Sequence, residues 1–344
     1  MKAAAINKHG ELAEIEIHDL EPPKPVHGEI LVHMKFAALN HLDYFVMKGW
    51  PGLDLKMPHV LGSDGSGIIE DLGPGVTQFQ VGEAVTINPG LSCGKCEACL
   101  AGEQNFCKSF SIKGEHQAGT FAEYFTVPEA NALKVPASYP LDKAAAAPLV
   151  FLTAWRMLVS RARVRPGEIV FVHGAGGGVS TAAIQIAKYL GATVITTTSS
   201  PEKAEKARML GADHVIDYRS TQDYGTLVFK DLTGKRGVDV VVDSVGARTF
   251  ATSVRLLRPG GRLVSCGATT GPSTELDLRQ VFWKQLEIIG STMSNQKEFR
   301  DVMRLVFASK IDPVIDKVFP LDQARQAEDY LLQASQFGKV VLRG

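Results

Sequence analysis

Four cysteines crowd one short segment, Cys93-x2-Cys96-x2-Cys99-x7-Cys107. Four thiolates at this spacing can close a tetrahedron around zinc with no position left open, which is the chemistry of a structural site and not a catalytic one. Reduced or redox-active thiols are the alternative. Lys95 and Lys108 are placed to offset part of the negative charge of a four-thiolate centre. The chain has only five cysteines in 344 residues, too few for a disulfide scaffold, and Cys266 reads as a buried small hydrophobe.

A second chemical signal is the run Gly174-Ala175-Gly176-Gly177-Gly178-Val179-Ser180. Residues without side chains let a backbone approach a pyrophosphate, and the N-terminus of a following helix offers free N–H groups and partial positive charge. Gly176, Gly177, Gly178, Val179 and Ser180 are therefore candidate cofactor-binding residues, with Ser180 standing where the last glycine of the fingerprint would be expected. The second strand of this region ends in Thr197-Thr198-Ser199-Ser200-Pro201-Glu202-Lys203. An acid there would bind a ribose 2′-hydroxyl and repel a 2′-phosphate. With Thr198, Ser199 and Lys203 in its place, NADP(H) is favoured over NAD(H). Tyr218 and Gly267 are further cofactor-binding candidates.

The elements that must position these groups follow from periodicity. Ile30, Val32, Met34 and Phe36 alternate with Leu31, His33 and Lys35, the period of a strand, and turns such as Gly73-Pro74-Gly75 punctuate the runs that follow. The first ~145 residues read as a mainly β domain. From about Pro148, runs of Val and Ile alternate with helical stretches: strand Glu168–His173, the glycine-rich turn, a helix in which Val179, Ala182, Ala183, Ile186, Ala187 and Leu190 share one face, and strand Ala192–Thr197. Further strands fit at His214–Ile216, Val238–Val242, Arg262–Ser265 and Leu286–Ile289, so a doubly wound parallel sheet is expected, giving an α/β protein.

Composition excludes whole classes. Thirty-seven basic residues balance thirty-seven acidic ones, which argues against nucleic acid or an anionic membrane as principal partner. The longest uncharged apolar stretch, Ala144–Leu152, is shorter than the ~18 residues of a membrane span. The N-terminus lacks a secretory core, and a cytoplasmic location is expected.

Together these features resemble the medium-chain dehydrogenase/reductases. The β domain, the cysteine lobe, Gly62-Ser63-Asp64-Gly65-Ser66-Gly67, Val81-Gly82-Glu83-Ala84-Val85 and the terminal Gly338-Lys339-Val340-Val341-Leu342 carry the resemblance over essentially the whole chain. It implies a GroES-like β catalytic domain at 1–148 with a structural zinc lobe, a Rossmann cofactor domain at 149–296, and a return of 297–344 to the catalytic domain. It also implies a homodimer or homotetramer, with the strand near Leu286–Ile289 pairing to a second copy.

One departure is informative. Zinc alcohol dehydrogenases of this family hold a catalytic zinc through a cysteine three residues before an aspartate, a histidine in a Gly-His-Glu motif, and a third ligand near the domain junction. The matching positions here are Asn40 before Asp43, Ser63 between Gly62 and Asp64, and Leu149, none of them a good zinc ligand. Asn40-His41-Leu42-Asp43 resembles instead the corresponding segment of quinone oxidoreductases. The resemblance thus implies NAD(P)H-dependent hydride transfer to a small carbonyl, enone or quinone, with one structural zinc per chain and no catalytic zinc. Asn40 and Tyr44 are then the candidate donors to the developing oxyanion, with Thr153 placed near the nicotinamide by resemblance and Tyr44, Phe45, Trp50, Phe282 and Trp283 as candidate pocket walls. Two alternatives remain open at this level: an alcohol dehydrogenase whose zinc is held by rearranged ligands from His41, His59, Asp64 and His116, and a non-catalytic NADPH-binding sensor.

Overall fold

The computed structural model describes residues 1–10 and 14–344. The chain forms two compact units, one of Met1–Leu149, Ser294–Ser309 and Pro313–Gly344, the other of Val150–Met293 and Lys310–Asp312. None of the described helices is long and apolar enough to cross a membrane.

The first unit is built on a seven-stranded sheet. Its backbone runs Ala132–Lys134, Ala84–Ile87, Asp64–Leu72, Glu29–Ala38, Lys339–Arg343, Ile315–Pro320, with Tyr124–Pro128 also pairing to Glu29–Ala38. The long strand Glu29–Ala38 buries Ile30, Val32 and Met34 on one face, as its period-two pattern requires. Its partners fix what meets at its end. Ala38 lies opposite Asp64 on one side and Val341 on the other, so the first residues of two strands, Asp64 and Lys339, flank the chain just before Asn40. Helix His41–Lys48 begins there, with Asn40 as its N-cap. Beneath lies a core shared by Ile30, Met34, Val46, Leu61, Phe121, Ala327 and Leu342.

The second unit is a six-stranded parallel sheet in the order His214–Asp217, Thr193–Thr198, Ile169–Val172, Val238–Asp243, Leu257–Ser265, Glu287–Gly290. The first strand in sequence, Ile169–Val172, sits mid-sheet with its neighbours on opposite sides. That reversal is where a doubly wound sheet opens a crevice for a ligand at its carboxyl edge. Phe171, Ile195, Val241, Val254 and Leu263 form the core beneath it.

Candidate active site and metal-binding lobe

The cysteine lobe is a hairpin, Gly90–Leu91 paired with Ser111–Ile112, whose connecting segment carries the four thiols. Gly94, at φ +71°, makes the left-handed turn between Cys93 and Cys96, and the short helix Glu97–Leu100 presents Cys99 inward. All four Sγ atoms lie within 4.8 Å of one another. All four cysteines are free of disulfides. Backbone amides point at the sulfurs: Cys107 Sγ accepts from Cys93 N (3.5 Å) and Ser109 N (3.3 Å). The N–H groups of Lys95 and Cys96 draw the Cys93 thiol down to about 6, whereas burial pushes Cys99 up to about 11. The donor set fits a tetrahedral soft-ligand ion.

At the glycine-rich turn, Gly174 takes φ +65°, and its N–H donates to Thr197 Oγ1 at 3.1 Å while Ala175 N donates to Thr197 O at 2.8 Å. Helix Gly178–Tyr189 then starts on Gly177 with no side-chain cap. Its first amides remain for a ligand. Ser180 Oγ donates back to His173 O at 2.7 Å, so the hydroxyl ties the helix to the strand where a glycine would only allow close approach. Below the turn, Asp243 accepts from Val245 N, Gly246 N, Thr249 Oγ1 and Ser253 Oγ, and His173 Nε2 lies 2.8 Å from Ser253 Oγ. Asp243, Ser253 and His173 are buried, and burial drops the His173 pKa to about 4. The cluster braces two loops and does not present a nucleophile.

Among the described residues, three hydroxyls of this unit are buried without a hydrogen-bond partner: Thr198 Oγ1 at the end of its strand, Thr153 Oγ1 in helix Pro148–Trp155, and Ser291 Oγ. A native interior rarely leaves such groups unsatisfied, and those of Thr198 and Thr153 are at two of the positions expected from sequence to meet the cofactor. Ser200 caps helix Pro201–Met209 through Lys203 N, which places Ser199 and Lys203 at that helix start. Tyr218 N donates to Thr198 O at 3.0 Å, and at Gly267 a Cβ would lie 3.2 Å from Ser244 O. Sequence reasoning missed Asp217, which stands in register with Thr198 on the neighbouring strand and accepts the Arg219 N–H at 2.9 Å.

In the first unit, Asp64 is completely buried and completely engaged. Its Oδ1 accepts from Leu149 N at 2.8 Å, and its Oδ2 accepts from Asn40 Nδ2 at 2.9 Å and Lys339 Nζ at 3.2 Å. Lys339 Nζ also donates to Asn40 Oδ1 (2.6 Å) and Leu39 O (2.7 Å). Asn40 Nδ2 makes its second bond to Ala38 O at 3.3 Å. Both amide hydrogens of Asn40 are thus occupied, which corrects its expected role as an oxyanion donor: the side chain clamps Asp64 and Lys339. The sequence motif Gly338-Lys339-Val340-Val341-Leu342 does not by itself assign Lys339 a role. A lysine opening an otherwise apolar strand was the available signal, since a buried ammonium must be paired.

Ser63 is buried with an unpartnered hydroxyl. The proposed rearranged ligands do not converge. His59 Nε2 lies 3.0 Å from Gly114 O, His116 Nδ1 accepts Ile112 N–H at 3.2 Å, and the cysteine quartet is the one metal-competent group of three or more His, Cys, Asp or Glu among the described residues. Burial, and secondarily Lys339, lowers the His41 pKa. Tyr44 packs half-buried on the core, its ring 5.9 Å from that of Phe45, and among the described residues its hydroxyl has no hydrogen-bond partner. Trp50 is exposed in this unit, and Phe282 and Trp283 are exposed on a helix of the other.

Comparison with known proteins agrees with this architecture. Residues 26–137 match the alcohol dehydrogenase GroES-like domain and residues 178–308 the zinc-binding dehydrogenase family. A zinc-type alcohol dehydrogenase-like protein of Schizosaccharomyces pombe is 33% identical over 97% of both chains, and an acryloyl-coenzyme A reductase of Metallosphaera sedula is 33% identical over 99% of both. The crystal structure of an NAD-dependent alcohol dehydrogenase superposes with a TM-score of 0.95 at 46% identity over the whole of both chains. With a GroES-like domain, a doubly wound dinucleotide fold and relatives that span its length, the chain belongs to the medium-chain dehydrogenase/reductase superfamily and is a nicotinamide-dependent oxidoreductase.

Proposed function

We propose that this enzyme transfers hydride between NADP(H) and a carbonyl, enone or quinone acceptor without a catalytic zinc, and that its one zinc per chain is structural, held by Cys93, Cys96, Cys99 and Cys107. The observation that carries the reading is the state of Asp64. At the family's metal-ligand positions stand an amide, a hydroxyl and an aliphatic side chain, and the carboxylate beside them is neutralised by Lys339 and saturated by three donors. A divalent cation there would have to displace an ammonium and would find no thiolate or imidazole at the three ligand positions, Asn40, Ser63 and Leu149.

The nicotinamide, when bound, supplies the hydride; the chain supplies binding, orientation and electrostatics. Gly176, Gly178, Val179 and Ser180 would present backbone N–H groups to the pyrophosphate, with Gly177, whose own N–H donates to Gly174 O, shaping the turn they approach from. Thr198, Ser199 and Lys203 take the phosphorylated ribose, with Tyr218 and Gly267 bordering the same face of the unit. The Thr153 hydroxyl, buried and unpartnered among the described residues, would be a donor to the nicotinamide amide. Tyr44 donates to the oxygen on which negative charge develops, and Asn40, locked by Asp64 and Lys339, fixes the start of the helix that carries Tyr44. Among the relatives, the acryloyl-coenzyme A reductases favour a conjugated acceptor over a plain alcohol. The strand Glu287–Gly290, paired within the chain on one side only, suits a homodimer or a tetramer built from dimers.

The test is a consumption screen with NADPH and NADH against alcohols, aldehydes, enones, enoyl thioesters and quinones, with zinc measured on the same sample. Turnover of conjugated or quinone acceptors at one zinc per chain supports the reading. Alcohol oxidation that scales with a second zinc overturns it.

A further inference from the structure

Helix Gln296–Phe307 buries Phe299, Val302, Met303 and Val306 and sets Lys297, Arg300, Asp301 and Arg304 on its other face, at the i, i+3, i+4, i+7 spacing of a single stripe. Opposite that stripe runs the segment Gly102–Gln104 of the cysteine lobe, which belongs to the same unit. Between them lies a groove of about 410 Å³, lined by the four charged side chains together with Gly102, Gln104 and Gln296. Gln104 joins the two walls: its Oε1 accepts the Gln296 N–H at 3.2 Å, and its Nε2 donates to Cys99 O at 3.4 Å. The first amide of the helix is therefore already used. What the groove offers a ligand comes from side chains.

Those side chains are unevenly matched. Three cations against one acid leave two positive charges. Asp301 accepts from Lys297 Nζ at Oδ2 and from Arg304 Nη1 at Oδ1, which fixes two of the cations. Arg300 has no hydrogen-bond or ion-pair partner among the described residues. Gln296 Oε1 is buried and is likewise without a hydrogen-bond partner. A guanidinium with all its donors free is matched by an oxyanion that can accept two parallel N–H bonds, whereas a buried acceptor is matched by a donor. A phosphate monoester carries about −1.5 to −2 charges near pH 7, which balances the excess, and the sugar it esterifies supplies hydroxyl donors. We propose that this groove binds a phosphate ester of a sugar or polyol, with its phosphoryl oxygens on Arg300 beside Lys297 and Arg304 and a hydroxyl on Gln296 Oε1. The groove uses no residue of the glycine-rich turn or of the Asn40–Asp64–Lys339 cluster, so the inference does not depend on the acceptor proposed above.

The experiment is a calorimetric titration of the full, zinc-loaded chain, saturated with NADPH so that the glycine-rich turn is filled, at one fixed low ionic strength. The probes are ribose 5-phosphate, inorganic phosphate, sulfate and malate. Ribose 5-phosphate should bind once per chain, about tenfold tighter than the other three. Arg300→Ala should weaken it by about tenfold or more, the weight of a charge-assisted hydrogen bond, and Gln296→Leu should bring it down to the level of inorganic phosphate. Arg300 is exposed, so its replacement should leave the unfolding midpoint unchanged, and that is measured on the same sample. Absence of saturable binding, or ester binding that Arg300→Ala leaves intact, overturns the site. Sulfate as tight as ribose 5-phosphate reduces the groove to surface charge, malate as tight overturns the phosphate class, and an unchanged Gln296→Leu overturns the ester contact.

Discussion

The cysteine lobe and the Asn40–Asp64–Lys339 cluster are both polar knots in the same unit, and they are neutralised in opposite ways. In the lobe, four sulfurs converge within 4.8 Å with backbone amides as their polar neighbours; the donors are in excess, and an external cation is what completes them. In the cluster, Asp64 already has its cation in Lys339 and its hydrogen bonds in Asn40 and Leu149. A metal site needs uncompensated donors. The lobe has them and the cluster does not, although in the family's zinc alcohol dehydrogenases the second position is the one that carries catalytic metal.

The comparison breaks most visibly at the lobe. Replacing Cys99 by Ser should take zinc from one per chain toward none and forfeit several of the ~10 kcal/mol or more that a structural zinc contributes, read by metal analysis and denaturant unfolding of the same sample. At the cluster the largest effect should come from charge. Lys339→Met leaves Asp64 buried and unpaired and should cost about 3–5 kcal/mol, and adding Asp64→Asn should recover much of it. A Lys339→Met protein of wild-type stability would show that the pair does not hold the cluster. Next comes chemistry: Tyr44→Phe should lower kcat by about 10²-fold with a small change in KM, the size expected for one oxyanion donor. The smallest effect sharpens the cofactor side. Lys203→Ala should reduce kcat/KM for NADPH about tenfold more than for NADH, the weight of one charge-assisted contact; equal losses would remove the lysine from phosphate recognition.

Much of this was legible before the fold, because it is local. The cysteine spacing, the glycine turn and the helix that follows it lie within single short segments, and alternation or 3.6-residue periodicity marks the strands and helices that carry them. The strands expected at Val238–Val242 and Arg262–Ser265 occur within Val238–Asp243 and Leu257–Ser265. What spacing could not reveal depends on register across the whole chain. Lys339 reaches Asn40 and Asp64 over 299 and 275 residues of sequence, so nothing near Asn40 indicated that its amide was already used. Glu328 is similar: a helical pattern places it on an apolar face, but only the packed core shows that it is 1% exposed, with neither carboxylate oxygen hydrogen-bonded among the described residues.

The central claim is that this enzyme works with one zinc, and metal content tracked against turnover tests it most directly. Purified enzyme should contain one zinc per chain, Ser replacement of lobe cysteines should remove it, and added zinc should not raise the turnover of intact enzyme. A second zinc per chain, bound independently of the lobe cysteines and lost in proportion to activity, would contradict the account.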